Sequence, residues 1–405
     1  MVKENILFKN NILDKTKQKI TQKNFYKISK KIIKEIKSEL DFKENSFNVL
    51  SEKFNLNFKT EDLKKFKKYK KIAIIGMGGS VLGSDAIYSF FKKRIKKKFF
   101  FFDNIDFNKI KSFKKKEKLN KVLFLVISKS GNTIETITNL LYLKILKNKA
   151  SNIIIVSERK ENYLYEISKK LNLFFIEHKN FVGGRYSVLS EVGMLPAYLM
   201  GLNIGKLRFN IVKYLKMADM KLLQKNASEM ASILKKKKYR NLIFVNYIPE
   251  LEKLLYWLQQ LIAESLGKKG LGFLPVISNA PKDHHSLLQL YLDGPDDKIF
   301  YIFNYNLKNT PKIKVNNFYH KINHLNNKSI SRIKNSQKIA LIQRFKEKKI
   351  SYKEFEFQNN KEETIGELIS YFILETALIG KLININPFDQ PAVEKVKIYT
   401  KKLIS

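Results

Sequence analysis

Hydrophobic residues recur with two different periods along the chain. In residues 25–40 (FYKISKKIIKEIKSEL) apolar positions return every three or four residues, which predicts an amphipathic helix. Its predicted buried face carries Ile28, Ile32, Ile33, Ile36 and Leu40. From Lys71 onward the pattern changes to short β-branched and aromatic runs that stop at turn residues. We therefore predict a helical lead-in over residues 1–70 and a sheet-containing region after it.

Five such runs follow one another after residue 70, with helical stretches between them. They read KIAIIG, KKFFFFD, KVLFLVIS, NIIIVSE and NLFFIEH. Apolar runs that are separated by helices are typical of a parallel sheet covered on both faces. We predict one doubly wound α/β domain over residues 71–205.

A second series of runs follows a helical bridge. It consists of YRNLIFVNY, GFLPVIS, KIFYIFNYN and SYKEFEF, and helical segments such as PELEKLLYWLQQLIAES (residues 249–265) lie between them. No obvious sequence repeat joins the two series. We predict a second α/β domain of related construction over residues 221–380 and a helical tail over residues 381–405.

Two strand-like runs end in glycine and hydroxyl residues, namely GMGGS (residues 76–80) and SKSGNT (residues 128–133). Backbone N–H groups at such a turn, together with the dipole of the following helix, attract a phosphate or a carboxylate. Ligands of open α/β sheets sit beyond the carboxyl ends of the strands. Both turns therefore predict a site for a small anion, although SKSGNT could also be a serine-capped helix start.

Three other segments carry candidate chemistry. FVGGRYSVLSEVG has Arg185 directly after two glycines, QLIAESLGKKG has Glu264 one turn after Gln260, and DHHSLLQ holds His284 and His285. An arginine in a tight glycine turn points to a ligand rather than to a surface charge. Glu264 could instead be a solvated carboxylate at a helix end, and the histidine pair could cap a helix.

The formal net charge of +41 raises the question of nucleic-acid binding. Only seven of the 78 basic residues are arginine, the side chain suited to bidentate phosphate and base contacts. The lysines are scattered through nearly every segment. We therefore expect no specific nucleic-acid partner, and we expect the charge to speed encounters with anionic small molecules.

The 405-residue chain contains no cysteine, which excludes disulfides and thiolate metal sites. Its first twenty residues lack the apolar core of a signal peptide, and no run approaches the roughly 18 apolar residues of a membrane span. We expect a soluble, cytoplasmic protein without a membrane partner.

Six segments occur in an order that is informative by itself. GMGGSVLG, SKSGNTIET, VGGRYSVLSEVG, ESLGK, HSLLQ and NPFDQPAVEKVK span about residues 71–397, and their order resembles that of the glucose-6-phosphate isomerase family, in particular its shorter bacterial members. The resemblance implies two sugar isomerase (SIS) domains, each an αβα sandwich with a parallel sheet. It also implies reversible isomerisation of glucose 6-phosphate to fructose 6-phosphate, by ring opening and a cis-enediolate, with no cofactor and no metal.

The resemblance also implies roles for individual residues. Glu264 would move the proton between C1 and C2, Arg185 would steady the enediolate, His285 would help to open the ring, and Lys397 would assist at the ring oxygen or the hydroxyls. The residues that would bind the substrate are Gly79, Ser80, Ser128, Lys129, Ser130, Thr133, Gly184, Gln260 and Gln390. In that family the ring-opening histidine comes from the neighbouring subunit, so the resemblance implies a homodimer with a shared active site.

The chain departs from the family pattern at two places. Ala392, after Pro391, stands where glycine is usual before Val-Glu, and this affects the assignment of Lys397 most. Glu191 stands where a small residue is usual. Of the adjacent histidines we assign the ring-opening role to His285, because its spacing to Gln289 matches the family's His-x-x-x-Gln.

Two alternatives remain at the sequence level. The first is a bifunctional phosphoglucose/phosphomannose isomerase, which would share the fold and the proton transfer; HSLLQ and FDQPAVEKVK favour the dedicated glucose enzyme. The second is a non-catalytic sugar-phosphate sensor, which should lack the set Glu264, His285 and Arg185 and carry a helix-turn-helix unit.

Overall fold

A computed structural model describes residues 4–13, 16–305, 310–315 and 320–404. Within these residues the chain forms two five-stranded sheets that are mainly parallel. The α/β class predicted from the sequence is confirmed. The strands are β1 (Ile6–Asn11), β2 (Lys71–Ile75), β3 (Lys98–Phe102), β4 (Val122–Ile127), β5 (Ile153–Ser157), β6 (Phe174–Glu177), β7 (Asn241–Asn246), β8 (Leu274–Asn279), β9 (Lys298–Tyr305) and β10 (Tyr352–Phe357).

Helices fill the connections between the strands. The longer ones are amphipathic or fully buried, as their spacing of apolar residues requires. They are α1 (Thr16–Glu39), α2 (Leu82–Phe91), α3 (Phe107–Lys116), α4 (Ile134–Leu143), α5 (Tyr163–Lys170), α6 (Glu191–Met200), α7 (Ile204–Leu207), α8 (Met217–Lys236), α9 (Glu252–Leu266), α10 (Leu288–Asp293), α11 (Ile330–Glu347), α12 (Glu362–Leu382) and α13 (Glu394–Ile404).

The two sheets share one strand arrangement. The first has the order β3-β2-β4-β5-β6 and is parallel throughout. The second has the order β1-β10-β9-β7-β8, in which the four strands of the sequence-predicted series are parallel. In each sheet the first strand of the parallel series lies between the second and the third, so each sheet has a switch point beside that strand.

Alternate residues of the first sheet enter two different cores, because successive side chains of a strand point to opposite faces. Ile72 and Ile74 of β2 belong to a buried cluster that continues to Leu242 and Phe244 of the second sheet. Ala73 and Ile75 of β2 pack instead with residues of α3, α4 and α5. Both faces of this sheet are therefore covered, which explains why its strands are apolar throughout.

The lead-in differs from its prediction at its start. Residues 6–11 form a strand that pairs antiparallel with β10, from Ile6 opposite Phe357 to Asn11 opposite Tyr352. Their sequence, ILFKNN, ends in polar residues, and asparagine is depleted in strands, so it gives a weak strand signal. The strand forms because it covers the edge that β10 would otherwise expose.

The helical part of the lead-in is α1. Ile32, Ile33 and Ile36 are buried as predicted, whereas Ile28 is 49% exposed. Phe25, one turn before Ile28, packs into the hydrophobic core, and Ile28 does not belong to that core.

The predicted helical tail is also present. Of the predicted range 381–405, α13 forms the α-helix after residue 382, and no residue of α13 is buried. Within the described ranges, no helix is long and apolar enough to cross a membrane. The limits 71–205 and 221–380 remain our proposal for the two domains.

Candidate active site

The two glycine and hydroxyl turns lie side by side. β2 and β4 are parallel neighbours, with Ile75 opposite Val126, so residues 76–80 and 128–133 leave the same edge of the first sheet. This is the carboxyl edge at the switch point, where a doubly wound sheet leaves room for a ligand. The topology thus brings together two segments that are about 50 residues apart in the sequence.

The SKSGNT turn is shaped around two hydroxyls. The Ser128 hydroxyl is buried and lies 2.8 Å from that of Thr133, and Ser130 is exposed with its hydroxyl accepting from the Asn132 N–H. Thr133 is the N-cap of α4, and no side chain caps this helix. The structure therefore differs from a serine-capped helix start, and the first amides of α4 face the turn.

Lys129 brings a positive charge to this turn. Its ammonium lies 3.8 Å from Glu158, and the side chain is two-thirds buried. Burial lowers the pKa of Lys129, while Glu158 opposes that shift. Withdrawal from water strengthens the attraction of this ammonium for an anion at the turn.

The GMGGS turn packs directly on the Gly-Gly-Arg turn. A Cβ on Gly79 would lie 2.1 Å from the carbonyl carbon of Gly184, so the two backbones touch only because residue 79 is glycine. A Cβ on Gly78 would likewise lie 2.8 Å from Gln260 Nε2. Ser80 ends this turn and is half-buried. The glycines thus join two loops and a helix into one wall.

Arg185 is the centre of the site. Its side chain is 2% exposed, and its guanidinium donates five hydrogen bonds, as many as it has N–H groups. The acceptors are Ser265 Oγ (2.8 Å), Glu264 Oε1 (2.8 Å), Gln390 Oε1 (3.0 Å), Pro387 O (2.6 Å) and Asp389 O (3.0 Å). A planar fork of this kind fixes the positions of all its acceptors.

Glu264 is held from both sides near the end of α9. Its Oε1 accepts from Arg185, and its Oε2 accepts from Gln260 Nε2 at 3.0 Å, one helical turn earlier. The carboxylate remains 27% exposed, so it is positioned and still accessible. The Oε1 of Gln260 is buried and has no hydrogen-bond partner among the described residues. This oxygen is an acceptor available to a ligand.

A second contact anchors the segment that carries Gln390. Lys268 forms an ion pair with Asp389 at 2.7 Å and donates to the carbonyl of Asn386. The hydrogen bond from Lys268 lowers the pKa of Asp389. Residues 386–390 are thereby fixed beside Arg185 without a regular helix or strand.

His285 and Lys397 lie outside this cluster. The imidazole of His285 is exposed, and its backbone N–H bonds to Lys282. The neighbouring His284 is half-buried, and its Nε2 forms a hydrogen bond of 2.9 Å with the Tyr247 hydroxyl. Burial is the main cause that lowers the pKa of His284. Lys397 is exposed on α13, where it pairs with Glu394 at 2.7 Å. The catalytic roles of His285 and Lys397 therefore stay predictions.

The glutamate that departs from the family pattern is fully buried. Glu191 begins α6 and accepts from the Asn57 N–H at 2.8 Å and from Lys179 at 3.2 Å. A carboxylate in the first turn of a helix interacts favourably with the helix dipole. Glu191 therefore joins Asn57 of the lead-in to Lys179, which follows the last strand of the first sheet.

Comparison with known proteins places the chain in a family. The sequence model of the family described as phosphoglucose isomerase matches residues 47–272. A "Probable glucose-6-phosphate isomerase" of Methanococcus maripaludis is 33% identical over 394 residues, which cover 94% of this chain and 88% of that protein. A "Glucose-6-phosphate isomerase" of Mycoplasmopsis synoviae is 32% identical and covers 82% of this chain and 81% of that protein.

The chain belongs to the phosphoglucose isomerase family.

Solved structures agree on the fold. A hypothetical protein from Thermus thermophilus superimposes with a TM-score of 0.84 at 23% identity, over 98% of this chain and all of that one. A glucose-6-phosphate isomerase from Chlamydia trachomatis gives a TM-score of 0.79 at 18% identity, over 99% of this chain and 88% of that one. The predicted fold of two αβα sandwiches of the SIS type is confirmed.

The sequence did not reveal which groups form hydrogen bonds with Arg185 and fix its position. Ser265, the carbonyls of Pro387 and Asp389, and the indole of Trp257, which donates to the Arg185 carbonyl at 2.9 Å, all do so. Every residue has a backbone carbonyl, so a sequence pattern cannot show which carbonyls accept these hydrogen bonds. The adjacency of Ser265 to Glu264 and the buried helix around Trp257 were the available signals.

Proposed function

We propose that this chain interconverts glucose 6-phosphate and fructose 6-phosphate. Membership of the phosphoglucose isomerase family supports this reaction, and the named relatives carry the same activity in their names. The observation that carries the proposal is the pair formed by Glu264 and Arg185. A carboxylate and a guanidinium 2.8 Å apart supply a proton acceptor and a fixed positive charge near a developing oxyanion.

The proposed chemistry begins on the open-chain aldose. Glu264 takes the C2 proton, and the C2–H electron pair forms the C1–C2 double bond while the C1 carbonyl oxygen gains the negative charge. The positive charge of Arg185 stabilises this oxyanion of the cis-enediolate. The C2 hydroxyl passes its proton to O1, and Glu264 returns the carbon-bound proton to C1 while the C2 carbonyl forms, which gives the ketose. The same carboxylate serves both carbons, so the reaction is reversible with no change in the enzyme.

The binding groups fit a sugar phosphate whose phosphate lies at the far end from the reacting carbons. We assign the phosphate to Ser128, Lys129, Ser130, Thr133 and the first amides of α4. Phosphate binding there supplies orientation energy to carbons that Glu264 must reach.

The sugar hydroxyls would contact the opposite wall of the site. The unpartnered Oε1 of Gln260 supports this assignment, because it can accept from a hydroxyl. Gly79, Ser80, Gly184 and Gln390 are the other proposed contacts.

We further propose a cytoplasmic homodimer with a shared site. His285 would reach the substrate from the partner subunit and open the ring, and Lys397 would assist at the ring oxygen. Histidine suits ring opening because it exchanges protons near neutral pH. The surface position of His285 is compatible with a role across an interface.

A DNA-binding sensor is disfavoured by the lead-in. Residues 46–66 contain only short 3₁₀ turns after the long helix α1. A helix-turn-helix unit needs two helices joined by a short turn.

The proposal is tested with purified protein and fructose 6-phosphate, following glucose 6-phosphate in a coupled dehydrogenase assay. We expect turnover well above background. A folded protein without turnover would overturn the proposal. Mannose 6-phosphate, tested as a substrate in parallel, separates the dedicated enzyme from the bifunctional alternative.

A further inference from the structure

A small cavity lined by residues with polar side chains lies at the carboxyl edge of the second sheet, outside the site described above. It has a volume of about 50 Å³ and is lined by the following residues: Tyr247, Asn304, Tyr305, Ser331, Lys334, Asn335 and Lys338. Tyr247 directly follows β7, and Asn304 and Tyr305 end β9. The proposed isomerase reaction leaves all of these residues without a role.

The position of this cavity corresponds to that of the SKSGNT turn. In the first sheet the turn follows β4, the strand beside the opening strand β2. In the second sheet the cavity follows β9, the strand beside the opening strand β7. Both places are switch points, where parallel sheets leave a crevice for ligands.

The charged groups of the cavity wall are both lysines, and no carboxylate lines it. Lys334 and Lys338 lie one turn apart on α11, so their side chains project from the same helix face. Lys338 is 7% exposed, and its ammonium lies 3.9 Å from Glu354 and 3.8 Å from Glu356. Lys9 also pairs with both of these carboxylates, at 2.8 and 3.0 Å. The negative charges of Glu354 and Glu356 are therefore already balanced by the two lysines, Lys9 and Lys338.

Lys334 has no ion-pair partner within the described parts of the chain. Its ammonium donates to the Tyr247 carbonyl at 2.9 Å. The nearby Glu250 is paired with Lys93 at 2.7 Å. Burial lowers the pKa of Lys334, with Glu250 and Lys93 acting in opposite directions. A cation that is half-buried and not neutralised gains from an anionic ligand.

Asn304 supplies an independent sign of a ligand. It is 4% exposed, and its Oδ1 accepts from Lys338 at 3.3 Å, which fixes the orientation of the amide. The Nδ2 group then faces away from Lys338 and has no hydrogen-bond partner among the described residues. A buried donor is rarely left unpaired without a ligand or water to receive it.

We propose that this cavity is a second anion site, which takes a phosphate-sized oxyanion. The donors would be the Asn304 amide and the ammonium groups of Lys334 and Lys338. A bound water needs about 10–15 Å³ of such space, so the cavity holds one oxyanion and is too small for a sugar ring. Free phosphate and the phosphate group of a monoester share this chemistry.

The test measures the binding of labelled inorganic phosphate to the full chain by equilibrium dialysis at about 0.15 M salt, which screens exposed lysines. We expect two equivalents per chain, and one fewer in Asn304→Asp, which removes the donor and adds a negative charge beside Lys338. Lys334→Gln should weaken the same equivalent by about tenfold or more. Lys346→Gln, an exposed lysine of α11, is the matched control and should change nothing.

Equal phosphate stoichiometry and affinity in the wild type, Asn304→Asp and Lys334→Gln would overturn the proposal. The thermal midpoint of unfolding verifies that the variants fold. Glycerol phosphate, used as a competitor, identifies the source: if it displaces the Asn304-dependent equivalent, the site takes monoesters, and if it does not, the site takes free phosphate. Failure of the isomerase proposal would remove the equivalent that fructose 6-phosphate displaces and leave the Asn304-dependent one.

Discussion

At the scale of the residue, Arg185 organises the site because none of its N–H groups is left over. Its five acceptors come from α9 and from residues 387–390, segments about 120 residues apart in the sequence. Lysine carries the same charge, but its three donors on a flexible stem cannot reproduce the fork. The guanidinium therefore positions the base and the Gln390 segment together.

Glu264→Gln should abolish most turnover while leaving the site assembled. The amide can still accept from Arg185, but it cannot take a proton from carbon, so we expect kcat to fall by roughly 10³-fold. The coupled assay measures kcat, and calorimetry with fructose 6-phosphate measures binding, which should be largely kept. Glu347→Gln, which removes an exposed carboxylate of α11, should leave kcat unchanged. Near-normal turnover of Glu264→Gln would place the base elsewhere.

Gly131→Ala should distort the SKSGNT turn. Gly131 has φ of +67°, and a Cβ there would lie 1.7 Å from Asn162 Oδ1, so the turn must move to admit it. We expect KM for the sugar phosphate to rise by about tenfold or more, because the moved turn loses charge-assisted contacts.

Gly201→Ala is the matched control for this change. Gly201 also has a positive φ, of +87°, but no atom lies within 4 Å of the added Cβ. Gly201→Ala should lower stability by roughly 1 kcal/mol and leave KM unchanged. If both variants showed the same KM, steric shaping of the turn would not matter for binding.

Among the helices and strands, the sequence pattern predicted those whose conformation depends on residues close to them in the chain. Strands β2 and β4 follow from their apolar runs and terminal glycines, because burial on both faces requires such runs. β1 was not predicted, because its strand conformation depends on pairing with β10, which lies more than 340 positions later in the chain. The role of residues 386–390 was only partly predicted, for the same reason. The motif suggested Gln390 as a contact, but only the tertiary structure brings the carbonyls of Pro387 and Asp389 to Arg185.

Ile6→Ala tests whether β1 belongs to the stable fold. Ile6 is 1% exposed and joins the core shared by both sheets. Loss of its side chain should lower the free energy of unfolding by about 2–4 kcal/mol. Ile20→Ala, on α1 at 67% exposure, should change it by less than about 0.5 kcal/mol. Urea unfolding measures both, and equal small effects would mean that β1 is not stably docked.

At the scale of the whole molecule, one buried histidine should make stability depend on pH. His178 is 1% exposed, and burial lowers its pKa from 6.5 to about 4, with Lys129 and Lys179 adding to the shift. Between these values the unfolded chain binds the proton and the folded chain does not. The stabilisation is therefore complete above pH 6.5 and decreases as the pH falls towards 4, by on the order of 3 kcal/mol.

His178→Gln should remove this part of the pH dependence. Urea unfolding at several values between pH 7 and pH 4 should give a flatter curve of unfolding free energy than the wild type gives. His324→Gln, which replaces an exposed histidine, should give a curve parallel to the wild type. Parallel curves for all three proteins would show that His178 does not titrate between the two states.

The proposed shared site requires two copies of the chain, and mixed dimers test this directly. Glu264→Gln and His285→Gln should each be inactive alone. If His285 serves the partner's site, a mixed dimer has one site with both changes and one with neither. The isolated mixed dimer then has about half of wild-type activity, and a random mixture of the two variants has about a quarter. Two differently tagged variants, co-expressed and assayed after tandem purification, isolate the mixed species. A mixture no more active than its components would mean that His285 does not complete the partner's site, because each mixed dimer would then lack an intact set of residues.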